Sequence, residues 1–242
     1  MLGATRHLEP LLTKSRKTVG EDSDIGRLAP QLFLSESDPG VTMTPGHLNL
    51  SPGWYQRGHD VRNSDDLSLS GLTRRQWLEA IQETNEIVAA ILYVIHPELH
   101  RAGMSAMESL RKVVDDPTVI DTWSSPFNGV SVIVNRETPD HRDFHGRGDW
   151  YDILASIGTY PELYLELTTL GVKVDYPPGT VVPLLGKLLV HRVPRSLPDR
   201  VCYAWWFRDN VHRNMGSVLT RWACRKDVAS GYDGAQYVTV PT

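Results

Sequence analysis

The sequence predicts an α+β protein, mainly β: a double-stranded β-helix (jelly roll) backed by N-terminal helices. Two observations carry this. Between positions 73 and 110 apolar residues recur at three- and four-residue steps, the spacing of one helix face. After Pro117 the pattern changes to period two and short apolar runs, the signature of strands. A chain of 242 residues can bury a large core, and its 40% hydrophobic and 22% charged content is that of an ordinary globular protein.

Taken in order, residues 1–70 are rich in Pro, Gly, Ser and Asp, with weak periodicity. Residues 1–27 therefore read as a mobile arm. The rest, 28–242, reads as a single domain with helical support over 70–116 and a jelly-roll core over 118–210. Short apolar pieces, Leu32-Phe33-Leu34 and Leu48-Asn49-Leu50, followed by Ser51-Pro52-Gly53-Trp54-Tyr55, read as short strands and turns against the main domain. A helix is expected over 73–96, where Trp77, Ile81, Ile87, Val88, Ile91, Leu92 and Ile95 share a face and Thr73 can cap the start. Pro97 breaks it and opens a second helix through Met104, Met107 and Leu110. Strands follow at 130–135, 163–168, 172–176, 180–190 and 201–208, with a short helix expected over 149–156 and a turn at Pro177-Pro178-Gly179.

Composition limits the function classes. No apolar run approaches the roughly 18 to 20 residues of a membrane span, and the N-terminus lacks the apolar stretch of a secretory signal. Cys202 and Cys224 stand alone, without a Cys-x-x-Cys pair, which argues against a disulfide framework or zinc–thiolate site and for a reducing intracellular compartment. The net charge of −4 is unevenly spread: residues 1–140 carry 13 basic and 19 acidic side chains, whereas 191–226 carry eight basic against two acidic. That basic run reads either as a face that steers a polyanion or as solvated surface.

The chemistry turns on His141-Arg142-Asp143, His191 and Arg200. Two imidazoles and a carboxylate can occupy one face of an octahedral Fe(II) and leave three positions open. An arginine beyond the second His can grip the far carboxylate of a 2-oxoglutarate co-substrate with its planar fork. The triplet alone is cheap, since nine His and 18 Asp give roughly 0.7 His-x-Asp by chance. Two His-x-Glu rivals fail on context. His96-Pro97-Glu98 sits at a helix junction, and His7-Leu8-Glu9 lies in the expected arm. His141 instead follows a strand and a short turn, and His191 ends an apolar strand. Arg195 is a rival for the carboxylate clamp, placed in a loop by Pro194 and Pro198.

A His-x-Asp, a His fifty residues on and an Arg nine beyond it resemble the Fe(II)/2-oxoglutarate-dependent dioxygenases. The stretch 127–213 looks like the TET/JBP branch, particularly its fungal members, through Val132-Ile133-Val134-Asn135-Arg136, Leu170-Gly171-Val172, Tyr176-Pro177-Pro178-Gly179-Thr180-Val181-Val182, Leu189-Val190-His191 and Asp199-Arg200. The resemblance implies Fe(II) on His141, Asp143 and His191, 2-oxoglutarate on Arg200 and Arg136, and O2 as oxidant. It also implies methylated duplex DNA as partner, with 5-methylcytosine taken to 5-hydroxymethylcytosine and further, N6-methyladenine as an additional substrate, and a nuclear location. No membrane and no protein partner is implied. A base in a duplex must be flipped out to be oxidised. If Arg200 faces the barrel interior, strand alternation turns Trp206 and Arg208 the same way, to stack on that base and read its edge. The chain departs from the family at Gly146, where a short polar side chain is usual, leaving His145 or Asp149 as substitutes. Two other readings stay open: a 2-oxoglutarate-dependent hydroxylase of a protein side chain or small metabolite, and a non-enzymatic jelly-roll binding module.

Overall fold

The structure is a computed structural model that describes residues 1–18, 28–68, 71–218 and 220–226, with residues 14–18 described by their backbone only. Two helices open the chain, α1 (Leu2–Arg6) and α2 (Glu9–Thr18). Ala4, Thr5, Leu8 and Leu12 are buried, and Thr5 Oγ1 hydrogen-bonds Tyr203 Oη at 2.9 Å. A mobile arm over 1–27 is therefore not what residues 1–12 form. Leu8, Leu11 and Leu12, scattered among polar residues, are buried together in the main core. Residues 19–27 lie outside the described residues.

Strand β1 (Gly46–Leu50) and the short α3 (Asp65–Ser68) precede the helical layer of α4 (Gly71–Ile95), α5 (Pro97–Leu110) and α6 (Thr118–Trp123). Trp77, Ile81, Val88 and Leu92 are buried on one side of α4. Ile87, counted on that face from its spacing, is instead 54% exposed, and Thr73 lies within the helix rather than capping it. At the α4–α5 junction the buried His96 caps α5: its Nδ1 accepts from Leu99 N at 3.3 Å, with Pro97 in the first turn. Burial lowers the His96 pKa, which keeps the ring neutral and able to accept. Both His-x-Glu rivals are structural, since Glu98 pairs with Arg221 and the Glu9 carboxylate accepts from Thr44 N.

The remaining strands are β2 (Gly129–Val134), β3 (Thr138–His141), β4 (Asp152–Gly158), β5 (Tyr164–Leu167), β6 (Val172–Asp175), β7 (Thr180–Leu184), β8 (His191–Val193) and β9 (Arg200–Trp206), followed by α7 (Asp209–Asn214). They form two antiparallel sheets, β1-β2-β9-β4-β7 and β3-β8-β5-β6, the two-sheet arrangement of a jelly roll. One face of the larger sheet buries Val130, Val132, Ile153, Ala155, Tyr203 and Trp205 in the same core as the helices. The alternate residues of the same strands, Ser131, Asp152, Leu154, Cys202 and Ala204, line a cavity that the smaller sheet borders through Leu165 and Val193. Loss of Trp77, fully buried against Trp123, costs about 3–5 kcal/mol on this geometry.

Two expected elements differ. Residues 149–156 are not a helix. Their second half is β4, paired with both β9 and β7. A strand buried on both faces loses its alternation and cannot be told from a short helix by spacing. The strand expected over 180–190 stops at Leu184, and the chain folds over itself as Leu188 N and Leu189 N both donate to Leu185 O at 3.0 Å. His191 thus opens β8 rather than ending a long strand.

His212 on α7 is fully buried between Trp150 and Phe207, at ring separations of 4.7 and 5.2 Å, with both ring nitrogens lacking hydrogen bonds. Burial lowers its pKa from 6.5 to about 4. The unfolded chain therefore binds this proton more readily, so the stability present above pH 6.5 is lost as the pH falls through 4. The loss is on the order of 3 kcal/mol. Urea unfolding at pH 7.5 and 4.5 should show wild type losing roughly that much more than His212→Leu, and equal losses would contradict it.

Candidate active site

Antiparallel pairing of β3 with β8 sets His141 opposite His191. Their rings lie 4.1 Å apart, and the Nε2 atoms are each 3.7 Å from a different oxygen of Asp143. One ligand atom from each residue falls within 4.8 Å of the other two. Both imidazoles carry the same restraint, His141 Nδ1 on Pro139 O at 2.8 Å and His191 Nδ1 on Leu189 O at 3.0 Å. A carbonyl can only accept, so each Nδ1 holds the proton and each Nε2 presents a lone pair to the centre. Asp143 is fixed from behind, its N–H donating to Gly186 O at 2.9 Å. This set fits Fe(II): two neutral imidazoles and a carboxylate converge, with oriented tautomers.

Gly186 is a steric requirement of that centre. A Cβ there would stand 2.7 Å from Asp143 Oδ2 and 2.6 Å from Asp152 Oδ2. Gly186→Ala is expected to turn the Asp143 carboxylate away and weaken metal affinity about 10–100-fold, the scale of a disturbed supporting shell. A Co(II) titration of the metal-free protein measures it. Asp152 is a buried carboxylic acid beside Asp143 that sequence reasoning missed. Burial first, then the Asp143 charge, holds its carboxyl well above the ordinary range.

Arg200 lies at the start of β9, 4% exposed, facing the cavity. Its Nε donates to Ser156 Oγ at 3.1 Å and its guanidinium sits 5.5 Å from the Tyr176 ring centre. The neighbouring Asp199 turns the other way, accepting from Thr42 N, Met43 N and Asn135 Nδ2. None of the ion pairs among the described residues includes Arg200. A buried guanidinium without a carboxylate is costly in isolation and fits a carboxylate ligand. Arg136 lines the same cavity and is buried. Asn135, at φ +52°, shapes this end: its side chain accepts from Arg200 N and donates to Asp199. Arg195 lies elsewhere, paired with Glu137 and bonded to Gln31 O.

Along β9 the alternation holds as far as Trp206, where the strand ends two residues short of the expected 208. Arg200, Cys202, Ala204, Trp206 and Arg208 all line one cavity of about 330 Å³, together with the three metal-type ligands. That volume is at the small end of ligand sites. The two tryptophans part ways. Trp205 is core and donates to Asn85, whereas Trp206 lies across Gly129 of β2 and donates to Ser131 Oγ at 2.9 Å. A Cβ on Gly129 would stand 2.1 Å from that indole. Ser131 in turn donates to Asn49 Oδ1 at 2.7 Å. The relay commits the Asn49 carbonyl and leaves its amide N–H groups on the cavity wall, a polar group that sequence reasoning missed. Its only signal was the polar position inside Leu48-Asn49-Leu50.

His145 and Gly146 reach the cavity mouth, as does Phe144, 72% exposed. A Cβ at Gly146 would meet only Phe207 O, at 3.5 Å, so the family's polar group is missing rather than sterically barred. Asp149 is not at the cavity. It pairs with Arg147 at 3.3 Å and lines a separate surface cleft with Arg221 and Trp222. The basic run over 191–226 is not one face either. Arg192 pairs with Glu166, Arg213 with Asp209 and Arg221 with Glu98, while Arg200 and Arg208 turn inward.

Among solved structures, NgTET1 in complex with 5mC DNA aligns over 75% of this chain and 67% of its own, at 16% identity and TM-score 0.49. A Cupin 2 conserved barrel domain protein from Salinispora arenicola CNS-205 aligns over 36% of this chain and 69% of its own, at 19% identity and TM-score 0.25. The plu4264 protein of Photorhabdus luminescens aligns over 36% and 68%, at 13% identity and TM-score 0.27. Comparison with curated proteins gives no match. No helix among the described residues is long and apolar enough to cross a membrane. Residues 58–209, more than half of the chain, match the Tet_JBP model, the oxygenase domain of the 2OGFeDO superfamily. The chain belongs to that family and is a dioxygenase that uses Fe(II), 2-oxoglutarate and O2.

Proposed function

We propose that this dioxygenase oxidises a methylated base of DNA, extruded from the duplex into the cavity. The observation that carries the reading is that β9 turns Arg200 and Trp206 into the cavity that the metal-type ligands line, with Arg208, two residues beyond the strand end, in the same cavity. Iron with 2-oxoglutarate and O2 supplies, when bound, the oxidation of a substrate C–H bond. The chain's residues do the rest. His141, Asp143 and His191 hold the metal, their tautomers set by Pro139 O and Leu189 O. Arg200 anchors the distal carboxylate of the co-substrate, with Arg136 as second cation. Trp206 offers a planar face to a base, and the Arg208 guanidinium and Asn49 amide offer donors to its acceptor edge. His145 is a further polar group of the cavity lining. Asp149, outside the cavity, is withdrawn from the substrate residues.

Nucleoside mass spectrometry after incubation with 5-methylcytosine, N6-methyladenine and unmethylated duplexes tests the substrate. An oxidised or demethylated base from a methylated duplex is expected. Succinate release without any altered base would move the substrate to a protein side chain or small metabolite. Trp206→Ala and Arg208→Ala should lower the yield of oxidised base per succinate about tenfold, the scale of one lost stacking contact.

A further inference from the structure

The Arg208 side chain is held in an unusual way. Its guanidinium carbon lies 3.6 Å from the ring centre of Trp54 and 5.1 Å from that of Trp206. The two indoles stand nearly edge to face, 77° apart with centres 6.5 Å apart. None of the ion pairs among the described residues includes Arg208, and its buried Nε–H has no acceptor. Burial draws its pKa down to about 10, which still leaves it charged at neutral pH. The contact that offsets this desolvation is the π face of Trp54, and a guanidinium lying over an indole keeps its N–H donors at its rim.

Trp54 is itself fixed. Its N–H and carbonyl both bond Arg62, at 2.7 and 3.1 Å. Asn128 ties the loop to the strand end, accepting from Ser51 Oγ through its carbonyl at 2.6 Å and from Arg208 N through its side chain at 2.9 Å. Asn210 Nδ2 closes the far side on Tyr55 O at 2.9 Å. Trp54 does not line the cavity and precedes the stretch 58–209 that matches the family. It reaches the cavity only through the two side chains it touches, Arg208 over its face and Trp206 at its edge, and the Arg208→Ala background separates the two routes.

We infer that Trp54 is a positioning residue that holds the charged Arg208 with its donor rim in the cavity, so that residues 51–63 set which base edge is accepted. The inference rests on the proposed reading of Arg208. Trp54→Leu removes the π face but keeps an apolar side chain, and Trp54→Phe keeps a π face. Trp54→Leu should lower kcat/KM for the methylated duplex about 5- to 30-fold and reduce oxidised base per succinate, and Trp54→Phe should recover most of both. In an Arg208→Ala background the Trp54→Leu substitution should have no further effect. Wild-type kcat/KM in Trp54→Leu, equal damage from Leu and Phe, or an undiminished Trp54→Leu effect without Arg208 would each overturn the inference. Full duplex oxidation by Arg208→Ala alone would instead sink the base-edge role on which it rests. If Trp54→Leu fails to fold, Trp54→Gln with the same background carries the test.

Discussion

Asp143→Ala is expected to abolish succinate formation while leaving the metal-free protein at least as stable as wild type. The two effects share one cause. Asp143 is the only anionic member of the three-residue metal-type set and stands 3.7 Å from both imidazoles, so its loss removes the charge that complements a dication. A loss of metal affinity well beyond 100-fold follows, since disturbed supporting groups alone cost 10–100-fold. In the metal-free fold the same carboxylate is a liability. It faces Asp152, whose carboxyl is held well above the ordinary range by burial and by the Asp143 charge. Removing the Asp143 charge takes away one of the two causes that penalise ionisation of the buried Asp152. Metal titration and thermal melts of the same preparation measure both, and a destabilised Asp143→Ala would make the residue structural.

The second large effect is at Arg200. Truncating one partner of a buried, hydrogen-bonded ion pair costs about 2–5 kcal/mol, so Arg200→Met should raise the KM for 2-oxoglutarate by roughly 30-fold or more. Without co-substrate the residue is a buried charge with no ion pair among the described residues, and an apolar side chain of similar volume is often neutral or stabilising in such a place. Arg200→Met should therefore melt no lower than wild type. Arg200→Lys keeps the charge but loses the planar fork, and an intermediate KM is expected. A wild-type KM in Arg200→Met would shift the clamp to Arg136.

Much of this was legible in the residues, for identifiable reasons. Helix α4 announced itself because one side is core and the other solvent, which preserves the 3.6 period. The β9 alternation was legible because Arg200 and Trp206 are too polar or bulky to be mistaken for filler. What failed was local. Strand β4 hid because core residues fill one of its faces and cavity residues the other, so its alternation between Ile153 and Asp152 looked like helical scatter. Leu8 and Leu12 looked mobile because their burial depends on packing against elements distant in sequence, β1 and α4. Asn49, Asp152 and Trp54 were not visible as site residues. Each acquires its role only through pairing across strands or loops, and no spacing in the chain encodes that.

The proposed function requires one cavity to couple 2-oxoglutarate turnover at His141, Asp143 and His191 to oxidation of a base at Trp206. Counting succinate and oxidised nucleoside in the same reaction with a 5-methylcytosine duplex tests it most directly. Near-equal yields in wild type, both lost in Asp143→Ala, are the predicted result. Succinate formed in the absence of any oxidised nucleoside, or base oxidation that survives Asp143→Ala, would contradict it.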